Sequence, residues 1–246
     1  MAYDEKYELR MARKEALPRL EVPAPFGVLS YSGARNPMSR SNSAHRVSTA
    51  MAFRASGMVP QIFHFESAGE FAVALEASLD PELYGLEVQL PPIRYPWQWN
   101  KKGYRDHYFD LRLTFDDGFR TAVYVKNGKA LKQERVQKEI SAIFSCVTED
   151  FADEAIVVNT DDYSRPYRDN LLRMWKHCQT PCERNDRILE EAAHTKNYWL
   201  LEDLVAQCSL TGAEAWQAAL RLIAYGRLAA DLHAVFCHQS RVWLPE

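Results

Sequence analysis

His107-Tyr108-Phe109-Asp110-Leu111-Arg112-Leu113-Thr114-Phe115, Asp116-Asp117-Gly118 and Phe119-Arg120-Thr121-Ala122-Val123-Tyr124-Val125-Lys126 follow one another without a gap. Apolar and polar residues alternate on both sides of an Asp-Gly pair. A period of two is that of a strand, and Gly supplies the positive φ of a tight reversal, so the stretch predicts a β-hairpin. Phe109, Leu111, Leu113 and Phe115 share one face of the first strand, with Asp110 and Arg112 on the other; in the second, Phe119, Thr121, Val123 and Val125 oppose Tyr124 and Lys126. Asp110, Tyr124 and Lys126 are thereby expected on one polar face.

Working outward, Glu66-Ser67-Ala68-Gly69-Glu70-Phe71-Ala72-Val73-Ala74-Leu75-Glu76 predicts an amphipathic helix. Ser67 is its N-cap, Glu70 closes the capping box, and Phe71, Ala74, Leu75 and Leu79 recur at helical spacing. Glu87-Val88-Gln89-Leu90 and Ile93-Arg94-Tyr95, broken by Pro91 and Pro92, predict an edge or irregular strand. After the hairpin a helix is expected over about 129–146, with Leu131, Val136, Ile140, Ile143 and Phe144 as its apolar stripe. Ala155-Ile156-Val157-Val158 predicts a buried strand and 166–176 a helix. The order is that of an α/β domain with a mixed sheet, ending near residue 178.

Cys178-Gln179-Thr180-Pro181-Cys182 predicts a linker, and helices are expected over about 184–194, 199–207 and from Thr211 to Ala224. Short strands near Leu228–Leu232 and Arg241–Leu244 complete a winged-helix plan. Three regions follow: a basic arm over 1–65, beginning with a short helix or arm over 3–20, the α/β domain over 66–178, and a winged-helix-like domain over 179–246.

Across 246 residues, 47% hydrophobic and 26% charged, the composition is that of a folded protein and excludes disorder. A formal charge of −3 excludes a polybasic protein, so any nucleic-acid surface must come from local segregation of charge. Such segregation exists: Val22 to Phe65 contains no acid but carries Arg35, Arg40, His45, Arg46, Arg54 and His64 among Ser, Asn and Gly. It can lie against phosphates or serve as a solvated loop. The five cysteines, with no charged-then-apolar leader at Met1, argue for reduced thiols and a cytoplasmic location. No apolar run approaches the roughly 20 residues of a membrane span.

Asp110 and Lys126 on one hairpin, with Glu70 on a preceding helix, suit divalent-metal phosphodiester hydrolysis: carboxylate oxygens hold Mg²⁺, and the ammonium orients water or offsets developing charge. The plainer reading is a cross-strand ion pair. Ser67, Gln89 and Glu139 lie nearby in this scheme, with Glu139 read as a solvated helix carboxylate. His177, Cys178, Cys182 and His194 match no structural-zinc spacing. Trp97 and Trp99 with Lys101 and Lys102 could grip nucleic acid or cover a sheet edge. Phosphate loops and Gly-x-Ser-x-Gly elbows do not occur.

The whole order resembles restriction-endonuclease-like nucleases, whose signature is a carboxylate followed by acid-x-Lys. More narrowly, it is similar to the TnsA-like endonuclease subunits of heteromeric transposases. His45-Arg46-Val47 and Arg54-Ala55-Ser56-Gly57 match that family's basic segment, and Glu66 to Glu76 its catalytic helix, with Glu70 at the catalytic glutamate. Leu79-Asp80-Pro81 and Glu87-Val88-Gln89-Leu90-Pro91 match its next segment. Phe109-Asp110-Leu111 resembles the aspartate motif, and Val125-Lys126 the Val-Lys pair. Ile156 to Asp161 and Asn170-Leu171-Leu172 are like its later strand and helix.

This resemblance implies a restriction-endonuclease-like core with Glu70, Asp110 and Lys126 as catalytic residues. It implies Mg²⁺ or Mn²⁺ on Glu70, Asp110 and the Val125 carbonyl, and DNA contact through Arg40, His45, Arg46 and Arg54. The implied partners are DNA, a DDE-type transposase subunit and, through the C-terminal domain, an AAA+ ATPase regulator. One position departs: the residue two before Lys126 is an acid in most such nucleases or a glutamine in this family, and here it is Tyr124. The alternative is a catalytically silent adaptor that binds DNA or protein, and a third is a phage or restriction-defence nuclease on the same core.

Overall fold

The computed structural model describes residues 27–37, 46–98 and 101–245. The expected N-terminal arm over 3–20, together with Arg40, His45 and Trp99, lies outside the described residues. The chain forms two compact units: one runs to Asp162, and the other contains the chain from Tyr163 onward with the short piece Ser78–Pro81.

The first unit opens with an antiparallel ribbon of β1 (Val47–Met51) and β2 (Gln61–Phe65). Helix α1 (Ala68–Ser78) follows and buries Gly69, Glu70 and Ala72 through Leu75. It is therefore enclosed over much of its circumference, where an amphipathic helix was expected. Its small residues allow that enclosure: a Cβ on Gly69 would stand 2.6 Å from Thr160 Cγ2, so only glycine lets the first turn approach that closely.

A mixed sheet in the order β3 (Leu83–Val88), β6 (Leu111–Phe115), β7 (Arg120–Lys126), β8 (Glu154–Asn159) forms the centre. The expected hairpin is β6–β7, pairing Leu111 with Val123 and Thr114 with Arg120. Its loop is Asp116-Asp117-Gly118, with Gly118 at φ 84° and Phe119 N donating to Asp117 Oδ1 at 2.9 Å. β7 and β8 are parallel, and parallel neighbours need a crossover. α2 (Gly128–Leu131) and α3 (Glu134–Phe144) supply it, divided at Lys132-Gln133 where one continuous helix was expected.

Two expectations about strands change. The stretch read as one strand from His107 to Phe115 is two: β5 (Tyr104–His107) pairs with β4 (Ile93–Pro96) in a separate ribbon, and β6 begins only at Leu111. The alternation breaks between them. Phe109 lies 5.6 Å from Phe151, over whose ring Arg112 also stacks at 5.4 Å, so Phe109 joins the Arg112 side of the sheet instead of the Leu111 side. Secondly, β8 is half-buried along its whole length, because it forms the sheet edge and has a neighbour on one side only. Leu90, Tyr95, Trp97, Phe109, Ala122, Tyr124, Ile143 and Ala152 form one buried cluster, so Trp97 is core and not a nucleic-acid grip.

The second unit starts with α4 (Arg165–Cys178), capped by Ser164, whose Oγ accepts from Tyr167 N at 3.3 Å. This helix groups with the C-terminal region, so the compact units divide before it, whereas composition suggested a division after it. Three helices, α5 (Glu183–Thr195), α6 (Leu201–Ala206) and α7 (Gly212–Ala224), precede an antiparallel pair, β9 (Ala229–Ala230) and β10 (Val242–Trp243). Asp186 and Arg221 pair in this unit's interior at 2.7 Å, with side chains 6% and 1% exposed. No helix among the described residues is long and apolar enough to cross a membrane.

Candidate active site

Three separate pieces of the first unit converge on the C-terminal ends of β7 and β8. Lys126 ends β7 opposite Asn159, and Thr160 directly follows. Gly69 rests on Thr160 and thereby brings the first turn of α1, with Glu70, to the same end. Asp110 lies just ahead of β6: its N donates to Val123 O at 3.2 Å, and its Oδ2 accepts from Val125 N at 2.8 Å. Strand order, helix capping and one glycine place these groups, rather than any local motif.

Glu70 is 8% exposed and fully oriented. Its Oε2 accepts from Glu66 N at 2.8 Å, its Oε1 from Ser67 Oγ at 3.1 Å, and its own N donates back to Ser67 Oγ at 3.1 Å. This is the capping box expected from sequence. Burial raises the Glu70 carboxyl above its ordinary range, against the lowering effect of those hydrogen bonds.

Asp110 is shifted furthest among the carboxyls. Burial pushes it up to about 7, the negative charge of Glu70 adds to that, and the Val125 N–H and Lys126 oppose it. Two carboxylates with too little positive charge between them repel one another. Lys126 loses some basicity to burial, but Tyr124, Asp110 and Glu139 outweigh that loss and hold it as an ammonium. Its Nζ lies 4.8 Å from the centre of the Tyr124 ring.

Tyr124 is part of the core. It is 7% exposed, and the ring of His107 meets it edge-on at 4.4 Å. His107 Nε2 is buried without a hydrogen-bond partner among the described residues. Burial, then Lys126, Arg35 and Arg105, push the imidazole down to about 4, so it is neutral near pH 7.

Several residues take places that sequence did not assign. Glu139 is no solvated carboxylate: its side chain is 19% exposed, and it accepts from Tyr95 Oη at 2.5 Å and Arg105 Nη1 at 2.8 Å. Gln89 is 1% exposed with φ at 50°, and its N donates to Asp110 O at 3.1 Å. Arg54 spends its guanidinium on Asp116 at 2.6 Å and the Leu83 carbonyl at 3.0 Å, bracing the hairpin loop. Arg46 is half-buried just before β1, away from the first turn of α1 in sequence. Arg35, which composition could not tell from the other arginines of its acid-free stretch, reaches Gln89 and Glu66.

Among the described residues, no group of three or more His, Cys, Asp or Glu side chains gathers as a metal site. A hard cation of the Mg²⁺ type needs only one or two carboxylates, with waters filling the other positions. Asp110 and Glu70 fit that smaller requirement. Among the described residues Asp110 bonds the protein only through Oδ2, and its raised pKa reflects burial first and the negative charge of Glu70 second. No family model and no curated protein matches the chain.

Proposed function

We propose that this chain is a metal-dependent DNA endonuclease subunit of a heteromeric transposase. It would hydrolyse one strand at each transposon end beside a DDE-type subunit, from a restriction-endonuclease-like core carrying a winged-helix-like C-terminal region. The observation that supports this is the buried Asp110 carboxyl, on which Glu70 and Lys126 both act electrostatically, the three coming from a strand entry, a helix and a strand end. Burial, reinforced by the charge of Glu70, pushes Asp110 up to about 7, which an ordinary solvated ion pair would not do.

Asp110 and Glu70, with the Val125 carbonyl, would hold Mg²⁺ or Mn²⁺, which when bound supplies Lewis-acid activation of water and of the phosphoryl oxygens. Glu70 is held in one orientation by its capping bonds, so it meets the cation without reordering. Lys126, being an ammonium, offsets negative charge growing on the phosphate during in-line attack; it does not remove a proton. The products would carry a 5′-phosphate and a 3′-hydroxyl. An AAA+ ATPase regulator is the further partner this reading brings to the C-terminal unit.

A second reading, a silent adaptor, draws on Tyr124. The position two before the site's lysine is filled by a phenol packed into the core, so it offers no carboxylate or amide oxygen.

The purified chain, alone and with a neighbouring-gene transposase, should nick labelled DNA in Mg²⁺ or Mn²⁺. Asp110→Ala and Lys126→Ala should each lower the rate by about 10²-fold or more with an unchanged thermal midpoint. Wild-type binding without cutting in any mixture, together with Mg²⁺-dependent cutting gained by Tyr124→Gln or Tyr124→Glu, would establish the adaptor.

A further inference from the structure

We infer that Arg35 forms a phosphate-binding subsite beside Glu70 and Asp110, with one guanidinium edge clamped by the protein and the other left for a phosphodiester oxygen of the substrate. This inference rests on the nucleic-acid reading above and adds a group that the resemblance does not supply.

The clamp is built from three sides. Arg35 Nε donates to Gln89 Oε1 at 2.8 Å, and Nη2 donates to the same oxygen at 2.5 Å and to Glu66. The guanidinium lies 4.9 Å from the centre of the Tyr108 ring. Tyr31 Oη holds the loop by donating to Arg35 O at 2.7 Å, and Ala34 N donates to Gln89 O at 2.8 Å. Nη1 alone has no protein partner among the described residues. A guanidinium fixed through Nε and Nη2, with Nη1 unclaimed among the described residues, is pre-organised to donate from Nη1 to a phosphate oxygen.

Its location gives that free edge a purpose. Glu66 and Gln89 are the residues next to the catalytic constellation: Glu66 N donates to Glu70 Oε2, and Gln89 N donates to the Asp110 carbonyl. The Arg35 charge is felt by both Glu70 and His107. Gln89 adopts a left-handed backbone, which costs a non-glycine residue energy and here turns its side chain to Arg35 while its N–H reaches Asp110. A purely structural salt bridge would also tie Arg35 to Glu66, and the two cases differ in what happens when Glu66 is neutralised.

Binding of a labelled duplex is to be measured by anisotropy without divalent metal, at several salt concentrations, for wild type, Arg35→Gln, Arg35→Lys and Glu66→Gln, with thermal midpoints recorded for each. Arg35→Gln should weaken binding about tenfold and flatten the salt slope by about one phosphate contact. Arg35→Lys should keep the slope while losing part of the affinity. Glu66→Gln should bind at least as tightly as wild type, because the arginine is released from its acid. Equal affinity and slope for wild type and Arg35→Gln would overturn the subsite, as would parallel losses in Arg35→Gln and Glu66→Gln. A wild type that binds no DNA would remove the nucleic-acid reading itself, whereas a wild type that binds with Arg35→Gln unchanged removes only the subsite.

Discussion

Both compact units bury acids, but they treat them in opposite ways. In the second unit, Asp186 faces Arg221 through three contacts of 2.7 to 3.1 Å, and the pair is nearly solvent-free. Each charge there has its counter-charge in bidentate geometry, which is the arrangement that makes burial tolerable. In the first unit, Asp110 feels the negative charge of Glu70, and the cation that opposes it is one lysine, Lys126. One pair holds its unit together. The other holds charge that is incompletely compensated, a condition more common at functional sites than in a scaffold.

The largest effect that sharpens this contrast is on stability. Asp186→Ala leaves Arg221 buried without its partner and should cost about 3–5 kcal/mol in urea unfolding. Asp110→Asn removes repulsion and should leave stability at pH 7 unchanged or raised. If both substitutions destabilise equally, the contrast between the units fails.

The next test is pH. Asp110 is raised in the folded state, so its contribution is fully present below its ordinary carboxyl range and is lost as pH climbs through about 7. His107 is lowered, so its contribution is present above the ordinary imidazole value of 6.5 and is lost as pH falls through about 4. Between those limits the two slopes oppose one another. Asp110→Asn should therefore gain, relative to wild type, a stability that rises with pH by up to about 1.4 kcal/mol per unit, read from denaturant midpoints in metal-free buffer. An unchanged difference across the range would mean that Asp110 titrates alike in the folded and unfolded chain.

The smallest effect belongs to the helix start. Ser67→Ala removes the hydroxyl that both receives Glu70 N and donates to Glu70 Oε1, and should cost about 1 kcal/mol. Thr211 plays the same part for α7, through Glu214, at an exposed position. Thr211→Ala should cost a similar amount yet leave any nicking untouched, while Ser67→Ala should slow it by releasing Glu70.

Much of the architecture was legible because it is local. The β6–β7 hairpin follows from alternation and Asp-Gly, and the capping box at Ser67 from spacing alone. Other features were not. The break at Tyr108 to Asp110 arises because β5 finds its partner in β4 while β6 finds its own in β3 and β7, a competition invisible in a run of alternating residues. Glu139 looked solvated because helical periodicity cannot show Tyr95 and Arg105 arriving from another ribbon.

By itself, then, the sequence determined the β6–β7 turn, the start of α1 and which residue types could carry phosphodiester chemistry, since capping, turn and periodicity signals act over a few residues, but it did not show the β1–β2 ribbon inside the stretch read as a basic arm. Only the tertiary structure decided that Gly69 seats Glu70 at the end of β8, that Tyr124 belongs to the core, and that Arg35 rather than another arginine of its stretch meets Gln89. Those outcomes depend on close approach between segments distant in the chain, and burial and Coulomb forces take their values from that approach alone.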